Sequence, residues 1–391
     1  MKGATLPTRT IDILGELIAH PTISANPNRD LIERCAELLR DAGAEVVLIE
    51  ADGGCKANLY ATVGPRDRAG VLLSGHTDVV PVEGQDWSVP PFALTRRDGR
   101  LHGRGAADMK GFVASALAAA LVAARRPLVT PLHLALSYDE EIGCVGVRSL
   151  IGMLADAPFR PRLCIVGEPT SMDVATGHKG KVALRARCRG RGAHSALAPT
   201  GLNAIHLACE LVASLRELQR ELEREGARDG DYDVPFTTVH VGRFDGGVAL
   251  NIVPDSASLL FEIRHLAADD PSALIARVKA AAAAIVATRR ADFPEADVAI
   301  EVTNAYPGLD TPPGADAVSF VKSLTRGNAT KKVAFGTEGG LFAAELGVPT
   351  VVCGPGSMAQ GHKPDEFVSE AQLARCDAML AALVERLEGG L

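Results

Sequence analysis

Residues 70–78 have the sequence GVLLSGHTD, an apolar run that ends in a histidine and an aspartate. A short apolar run of this kind predicts a buried β-strand in an α/β sheet. Ligands of such sheets bind beyond the carboxyl ends of the strands, which is where His76 and Asp78 fall. Both side chains lie on the same side of an extended chain end, because strand side chains alternate with period two. Asp78 is then placed to orient the His76 ring, although a His–Asp pair alone is often only a structural hydrogen-bonded pair.

Four further segments place acidic or imidazole side chains directly after apolar or glycine-rich runs. They are GRGAADMKG with Asp108, LHLALSYDEE with Glu140 and Glu141, RLCIVGEPT with Glu168, and GPGSMAQGHKPDE with His362. Taken singly, each has an ordinary structural explanation, such as a solvated edge or a turn. Together they offer nitrogen and oxygen donors for two zinc-type ions and one spare carboxylate that can act as a base. Burying so many carboxylates without cations would be costly, so the set predicts a two-metal hydrolytic site.

The composition excludes several other classes of protein. The formal net charge is -7 and both signs are interspersed, which argues against a nucleic-acid partner. The eight cysteines are scattered without a CxxC pair, and this pattern indicates reduced thiols rather than a zinc–thiolate site or a disulfide framework. The start of the chain lacks an apolar signal core, and the longest apolar stretches are too short to span a bilayer. We therefore expect a cytoplasmic protein without a membrane partner.

The pattern of strands and helices predicts two domains. Residues 1–177 alternate strands and helices, as in an α/β layer with a mostly parallel sheet, and this alternation resumes after residue 310. The intervening sequence follows the order β-α-β-β-α-β of a smaller, ferredoxin-like α+β domain. We predict a catalytic domain formed by residues 1–177 and 306–391. Residues 178–305 are predicted to form an inserted lid and dimerisation domain, since such a domain suits isologous pairing.

These motifs, in this order along the chain, resemble the co-catalytic di-zinc amidohydrolases. That family includes acetylornithine deacetylase, succinyl-diaminopimelate desuccinylase, aminoacylase and glutamate carboxypeptidase. The resemblance extends over essentially the whole chain and includes HKG at 178–180, GAHSA at 192–196 and LNIVPD at 250–255. It implies two divalent ions per subunit, with zinc or cobalt as the first candidates. The implied roles are His76 and Glu168 on one ion, Glu141 and His362 on the other, Asp108 as the bridge, Glu140 as the general base and Asp78 as the partner of His76.

His194, in the GAHSA segment of the inserted domain, resembles a family histidine that stabilises the oxyanion formed at the substrate carbonyl. In that family the histidine typically belongs to the neighbouring subunit, so the resemblance also implies a homodimer. Outside this context, His194 would be interpreted as a turn histidine among small residues. Whether it acts within its own chain or across a dimer stays open.

Three residues carry the prediction of the substrate. Asn251 and Arg264 match family positions that contact the substrate, and the planar guanidinium of Arg264 suits a carboxylate, although a surface salt bridge is the alternative. Residues 335–347, FGTEGGLFAAELG, lack the arginine of the desuccinylase branch and resemble the acetylornithine deacetylase branch. There, the carboxylate of Glu338 would complement a cationic side chain. We expect N-acetyl-L-ornithine as substrate, giving acetate and L-ornithine in arginine biosynthesis.

Other functions are compatible with the same motifs. A succinyl-diaminopimelate desuccinylase, a broad N-acyl-amino-acid deacylase or a dipeptidase would use identical chemistry at the carbonyl. A binding protein that kept the fold but lost turnover would be expected to lose its base first, yet Glu140 is present. A serine hydrolase is disfavoured because no GxSxG motif occurs in the chain.

Overall fold

The computed structural model describes residues 6–51 and 53–391. Within these ranges the chain forms nine α-helices and sixteen β-strands, besides a short 3₁₀ helix at Ser195–Thr200. The helices are α1 (Leu6–Ala19), α2 (Arg29–Asp41), α3 (Lys110–Ala123), α4 (Val147–Ala155), α5 (Ala204–Glu225), α6 (Pro271–Ala287), α7 (Asp316–Thr325), α8 (Gly339–Leu346) and α9 (Glu370–Gly389). The strands are β1 (Glu45–Glu50), β2 (Ala57–Val63), β3 (Val71–His76), β4 (Thr95–Arg97), β5 (Arg100–His102), β6 (Leu132–Ser137), β7 (Leu163–Pro169), β8 (Val174–His178), β9 (Gly180–Arg189), β10 (Thr238–Gly246), β11 (Ser256–His265), β12 (Asp297–Tyr306), β13 (Leu309–Asp310), β14 (Thr330–Val333), β15 (Thr350–Gly354) and β16 (Phe367–Ser369).

The chain divides into two compact units. The main unit contains the residues up to His178 and those from Leu309 onward, and the inserted unit is Lys179–Gly308. Each unit has an apolar core of its own. The core of the main unit includes the apolar face of α1, where Leu14 and Ile18 are fully buried, as the amphipathic pattern of that helix predicts.

The central sheet of the main unit has the strand order β1-β2-β6-β3-β7-β15-β8-β13, with β14 paired to β8. Its four middle strands, β6, β3, β7 and β15, are parallel, and the pairs toward the β1 end are antiparallel. All four middle strands are buried along their whole length, which explains their continuous apolar sequences. The alanine-rich helix α3 is almost completely buried and packs on α1, α2, α9 and β3. The predicted mixed α/β class with a parallel core is confirmed.

The parallel register brings the polar ends of the strands to one edge of the sheet. His76, the last residue of β3, pairs with Ser137, the last residue of β6. Ser74 of β3 pairs with Val166 of β7, so the Glu168 that follows Val166 lies at the same edge. Chain segments that leave these strands therefore emerge side by side, as expected for an α/β sheet.

The inserted unit forms an antiparallel sheet of order β10-β11-β9-β12, with α5 and α6 packed on it. Burial alternates along β9 and β11, so that one face of the sheet is covered and the other is not. This is the β-α-β-β-α-β arrangement, and the predicted α+β class of this region is confirmed. Residues 250–255, which precede β11, form a loop. Pro254 lies in that loop and has no amide hydrogen to give to a strand ladder.

Two further observations concern the cysteines and the helices of the described residues. All eight cysteines are free, and only Cys55 and Cys209 are exposed. Within residues 6–51 and 53–391, no helix combines the length and the apolar character needed to cross a membrane.

Candidate metal centre

A first cluster of possible ligands lies where β3 and β7 end. His76 Nε2 is 3.1 Å from Asp108 Oδ1 and 3.6 Å from Glu168 Oε1. All three side chains are buried. One donor atom from each residue lies within 4.8 Å of the others, close enough for a single ion to be bound by all three.

A second cluster shares Asp108 with the first. His362 Nε2 is 3.1 Å from Asp108 Oδ2 and 3.0 Å from Glu141 Oε2. The His362 side chain is 42% exposed, whereas those of Glu141 and Asp108 are 9% and 4% exposed, so this cluster lies nearer to solvent. His362 has a φ of 61°, in the left-handed region, within the segment that follows β15.

Asp108 has one carboxylate oxygen toward each cluster, Oδ1 facing His76 and Oδ2 facing His362. It lies between β5 and α3, and the Asp108–Met109 peptide bond is cis. Its backbone amide donates to Glu366 Oε1 at 3.0 Å, as does the amide of Ala107. The backbone of the shared residue is therefore held by a buried carboxylate from the segment that also carries His362.

Asp78 lies beside His76, and its side chain was predicted to orient the His76 ring. His76 Nδ1 is 3.0 Å from the backbone carbonyl of Asp78 and 3.6 Å from its carboxylate. The carboxylate accepts hydrogen bonds from the amides of Glu140 and Glu141 and from the Ser24 hydroxyl. Asp78 thus orients the His76 ring mainly through its carbonyl group, while its side chain holds the turn that follows β6.

Glu140 points its carboxylate to the interior beside the clusters. Its Oε1 accepts a hydrogen bond from the Cys144 thiol at 3.2 Å. The preceding residue, Asp139, has a φ of 54° and forms a 2.5 Å ion pair with Lys56. This pair fixes the turn from which Glu140 and Glu141 leave in different directions.

Burial dominates the electrostatics of the acidic groups. Desolvation raises the pKa of Glu168 well above its usual value, that of Glu140 to about 8 and that of Glu141 to about 7. Hydrogen bonds to Asp108 and Glu141 raise the pKa of His362 to about 10. Neighbouring carboxylates add to the increase in the pKa of each of these four groups.

The donor set fits two divalent cations. Five carboxyl groups and two imidazoles lie close together here, so the ionised groups carry an excess of negative charge. Two divalent ions would contribute four positive charges against that excess. Oxygen and nitrogen donors at this mutual distance suit zinc, cobalt or manganese. The carboxyl groups are Asp78, Asp108, Glu140, Glu141 and Glu168, and the imidazoles are His76 and His362.

Three residues of the inserted unit were predicted to contact the substrate or the oxyanion, namely His194, Asn251 and Arg264. His194 is exposed and its Nδ1 accepts from the amide of Ala196 at 3.1 Å. Asn251 is also exposed, and its carbonyl accepts from the amide of Ser195, which places it beside His194. Arg264 is partly buried and donates to Glu262 and to the Tyr306 hydroxyl at 3.0 and 3.1 Å. His194 and Asn251 thus form one exposed group, whereas Arg264 has partners inside its own sheet.

Glu338, the third residue predicted to bind the substrate, is buried in the main unit. It precedes α8 and is 1% exposed. Its carboxylate accepts hydrogen bonds from the hydroxyl groups of Ser74 and Ser137. The carboxylate that was predicted to complement a cationic side chain of the substrate is thus enclosed beneath the ends of β3 and β6.

Sequence reasoning missed the buried support of this centre. Arg104 and Glu366 form an ion pair at 2.7 Å in which both side chains are 1% exposed. Both residues lie inside quoted motifs, GRGAADMKG and GPGSMAQGHKPDE, but only their ligand-type neighbours were assigned roles. The sequence did contain a usable signal, namely a charged residue in a segment that was predicted to be buried. Because buried charges are nearly always paired, such a residue predicts a partner of opposite charge.

Comparison with known proteins identifies the family. An acetylornithine deacetylase of Myxococcus xanthus is 36% identical over 383 residues, covering 96% of this chain and 97% of its own. An acetylornithine deacetylase of Shigella sonnei is 33% identical over 365 residues, covering 92% of both chains. The crystal structure of an M20 family metallo-carboxypeptidase from Sulfolobus solfataricus aligns with a TM-score of 0.77 at 19% identity, covering 97% of this chain and 99% of that chain.

The sequence profile of peptidase family M20/M25/M40 matches residues 72–386. These residues include all five candidate ligands, and the two clusters supply the metal-binding groups that a metal-dependent hydrolase requires. Family profile, relatives and fold agree over nearly the whole chain. The chain belongs to peptidase family M20/M25/M40.

Proposed function

We propose that this protein is an amide hydrolase that uses two divalent ions to remove the acetyl group from N-acetyl-L-ornithine, giving acetate and L-ornithine. The observation that carries the proposal is the pair of ligand clusters joined by Asp108, with the spare carboxylate of Glu140 beside them. Amide hydrolysis needs an activated water, a base for its proton and a stabilising group for the carbonyl oxygen.

The ions would be held by the five clustered side chains. His76 and Glu168 would bind one ion, Glu141 and His362 the other, and Asp108 would contact both. When bound, two such ions would polarise the substrate carbonyl and lower the pKa of the attacking water. Zinc and cobalt are the proposed ions, since both accept imidazole and carboxylate ligands.

Glu140 would act as the general base. It is not needed as a ligand in either cluster, and its carboxylate lies in the interior where the ligands meet. It would accept a proton from the attacking water and then donate it to the leaving nitrogen. Asp78 supports this step because its carboxylate holds the amide of Glu140 at 3.1 Å.

The inserted unit would supply the remaining groups. We assign His194 to the oxyanion, and Asn251 and Arg264 to the carbonyl region and the carboxylate of the substrate. The exposure of His194 and Asn251 leaves both available to a ligand. Arg264 would keep its contacts with Glu262 and Tyr306 while its remaining guanidinium donors bind the substrate.

We also propose that the protein is a cytoplasmic homodimer formed through the inserted unit. The loop between β10 and β11 exposes large apolar side chains, with Leu250 100% and Val248 86% accessible. Exposed apolar groups in one loop favour contact with a second protein surface. This loop also carries Asn251, which lies beside His194. The proposed dimer contact would therefore lie close to both residues.

The choice of substrate is supported by the names of the relatives, both of which are acetylornithine deacetylases. The decisive experiment is a kcat/KM panel with defined metal loading over acetylornithine, succinyl-diaminopimelate, acetylmethionine and a dipeptide. The proposal requires acetylornithine to have the highest kcat/KM. A higher kcat/KM for succinyl-diaminopimelate would instead assign the protein to the desuccinylase branch. Similar values for both acetyl amino acids would make it a broad deacylase.

A further inference from the structure

Glu338 connects two strands of the central sheet below the candidate metal centre. Ser137 Oγ donates to Glu338 Oε1, and Ser74 Oγ donates to Oε2 at 3.2 Å. Both serines are fully buried. Each oxygen of one carboxylate is therefore held by a hydroxyl from a different strand.

The two serines lie just before the residues that form the centre. Ser74 precedes His76 by two positions on β3, and Ser137 precedes Glu140 by three positions at the end of β6. The same strand ends are also joined directly, because the amide of Thr77 donates to the carbonyl of Ser137 at 2.9 Å. Glu338 thus bridges the strand that ends in His76 and the strand that leads to Glu140.

Glu338 is itself held by contacts that do not involve the serines. The amide of Gly340 donates to His178 Nε2 at 3.2 Å, and the amide of Gly339 donates to Thr337 Oγ1 at 2.9 Å. These bonds anchor the first turn of α8 to β8 and to the preceding loop. A carboxylate on an anchored backbone can fix the two strand ends relative to a third element.

The contacts of this carboxylate differ from those of an ordinary buried ion. Both hydrogen bonds come from neutral hydroxyl groups, and burial raises the pKa of Glu338 to about 7. Burial of a carboxyl group with only neutral donors is costly compared with apolar packing. The Glu338 carboxyl group is costly to bury and lies beside the clustered ligands. A role in the metal centre explains its presence better than packing alone.

We propose that Glu338 is a positioning residue, which sets the end of β3 relative to the end of β6 and so fixes His76 with respect to Glu140 and Glu141. This inference rests on the proposed function, and it replaces substrate recognition as the role of Glu338. The residue acts through Ser74 and Ser137 and has no contact with the substrate. Groups that orient metal ligands in this way typically change metal affinity or activity by about 10–100-fold when removed.

The test compares Glu338→Ala and Glu338→Gln with Ser74→Ala and Ser137→Ala. Glu345→Ala is the matched control, because Glu345 is an exposed carboxylate on the same helix. Glu338→Ala is expected to lower kcat about 10–100-fold with little change in KM, and to weaken zinc binding measured by competition with a chelator. Glu338→Gln keeps one acceptor oxygen and is expected to recover most of both properties. Glu345→Ala should behave as wild type.

The serine partners make the inference specific. Ser137→Ala should reproduce part of the loss, and the Glu338→Ala/Ser137→Ala double variant should lose less than the product of the single effects. The proposal is overturned if the Glu338 variants raise KM for acetylornithine but not for acetylmethionine while both serine variants match wild type. That result would return Glu338 to substrate recognition.

Zinc affinity separates this inference from the proposed function. If wild type cleaves none of the panel substrates, the proposed function fails, and the zinc competition still decides the role of Glu338. Unchanged zinc affinity in both Glu338 variants would then reject the positioning role. If Glu338→Ala does not fold, Glu338→Gln and the serine variants carry the comparison, and wild-type kcat and zinc affinity in all three would reject it.

Discussion

Arg104 and Glu366 form an ion pair in the interior of the main unit, with Nη1 and Oε2 2.7 Å apart and each side chain 1% exposed. The other oxygen of Glu366 accepts the amides of Ala107 and Asp108. Arg104 also donates to the carbonyl of Lys363, which neighbours His362. One buried pair therefore holds two of the three chain segments that supply ligands to the second cluster, those of Asp108 and His362.

Loss of this pair should weaken the fold and the second cluster together. Glu366→Gln leaves the Arg104 guanidinium buried without a charged partner, which typically costs about 3–5 kcal/mol. The control is Glu370→Gln, whose partner Arg96 is 65% exposed, so its expected cost is about 0–1 kcal/mol. Urea unfolding measures the difference. Equal stability of the two variants would contradict the role assigned to the buried pair.

The two clusters should differ in how they respond to loss of one ligand. His362 belongs to the second cluster alone, so His362→Ala is expected to retain one tightly bound ion per subunit. Asp108 belongs to both, so Asp108→Ala is expected to weaken both ions. Elemental analysis after dialysis gives the stoichiometry. The shared-ligand arrangement is excluded if Asp108→Ala keeps two ions while His362→Ala keeps none.

Substitution of the proposed base should separate chemistry from metal binding. Glu140→Gln is expected to lower kcat about 10²–10⁴-fold, the usual contribution of general acid–base catalysis, with both ions retained. Cys144→Ala is a useful comparison, since it removes only the thiol that donates to Glu140 Oε1. Its activity should stay much closer to that of wild type. Full activity of Glu140→Gln would assign the proton transfer to another group.

The pH dependence of stability should contain a contribution from His133. This residue of β6 is 7% exposed and stacks on Tyr60, and burial lowers its pKa to about 4. The unfolded chain binds its proton at higher pH than the folded chain does. Below about pH 6.5 His133 therefore destabilises the fold increasingly as pH falls toward 4, by up to about 3 kcal/mol.

His133→Gln should remove this contribution, so that the variant loses less stability than wild type between pH 7 and pH 5. The control is His240→Gln, because His240 is exposed. Urea unfolding at the two pH values makes the comparison for all three proteins. An identical loss in wild type and His133→Gln would show that His133 does not titrate in the folded state as its burial implies.

The parallel core and the clustered ligands could be predicted because both depend on short local patterns. The strand ending at His76 and the strand containing Glu168 are continuous apolar runs, and polar side chains after such runs meet at one edge of the sheet. The resemblance to a known family then grouped the same side chains into two clusters. The structure brings these ligands together, and the roles assigned to them stay predictions.

The supporting contacts could not be predicted, because they join residues far apart in the sequence. Ser74 and Glu338 are 264 positions apart, and Ser137 and Glu338 are 201 apart. In the sequence both serines are ordinary strand residues, and Glu338 is interpreted by its charge alone. The short strands β4, β5 and β16 could not be predicted for a different reason, since three-residue strands have no measurable periodicity.

The sharing of Asp108 between two clusters has a consequence for synthesis of the protein. His76, Asp108 and Glu168 all precede the inserted unit, so the ribosome makes all three residues of the first cluster early. His362 follows the inserted unit and lies in the last tenth of the chain. Because domains generally fold as units during translation, and the main unit includes the residues from Leu309 onward, neither cluster is expected to form until that part of the chain has been made. Binding of the two ions would then mark a nearly finished chain.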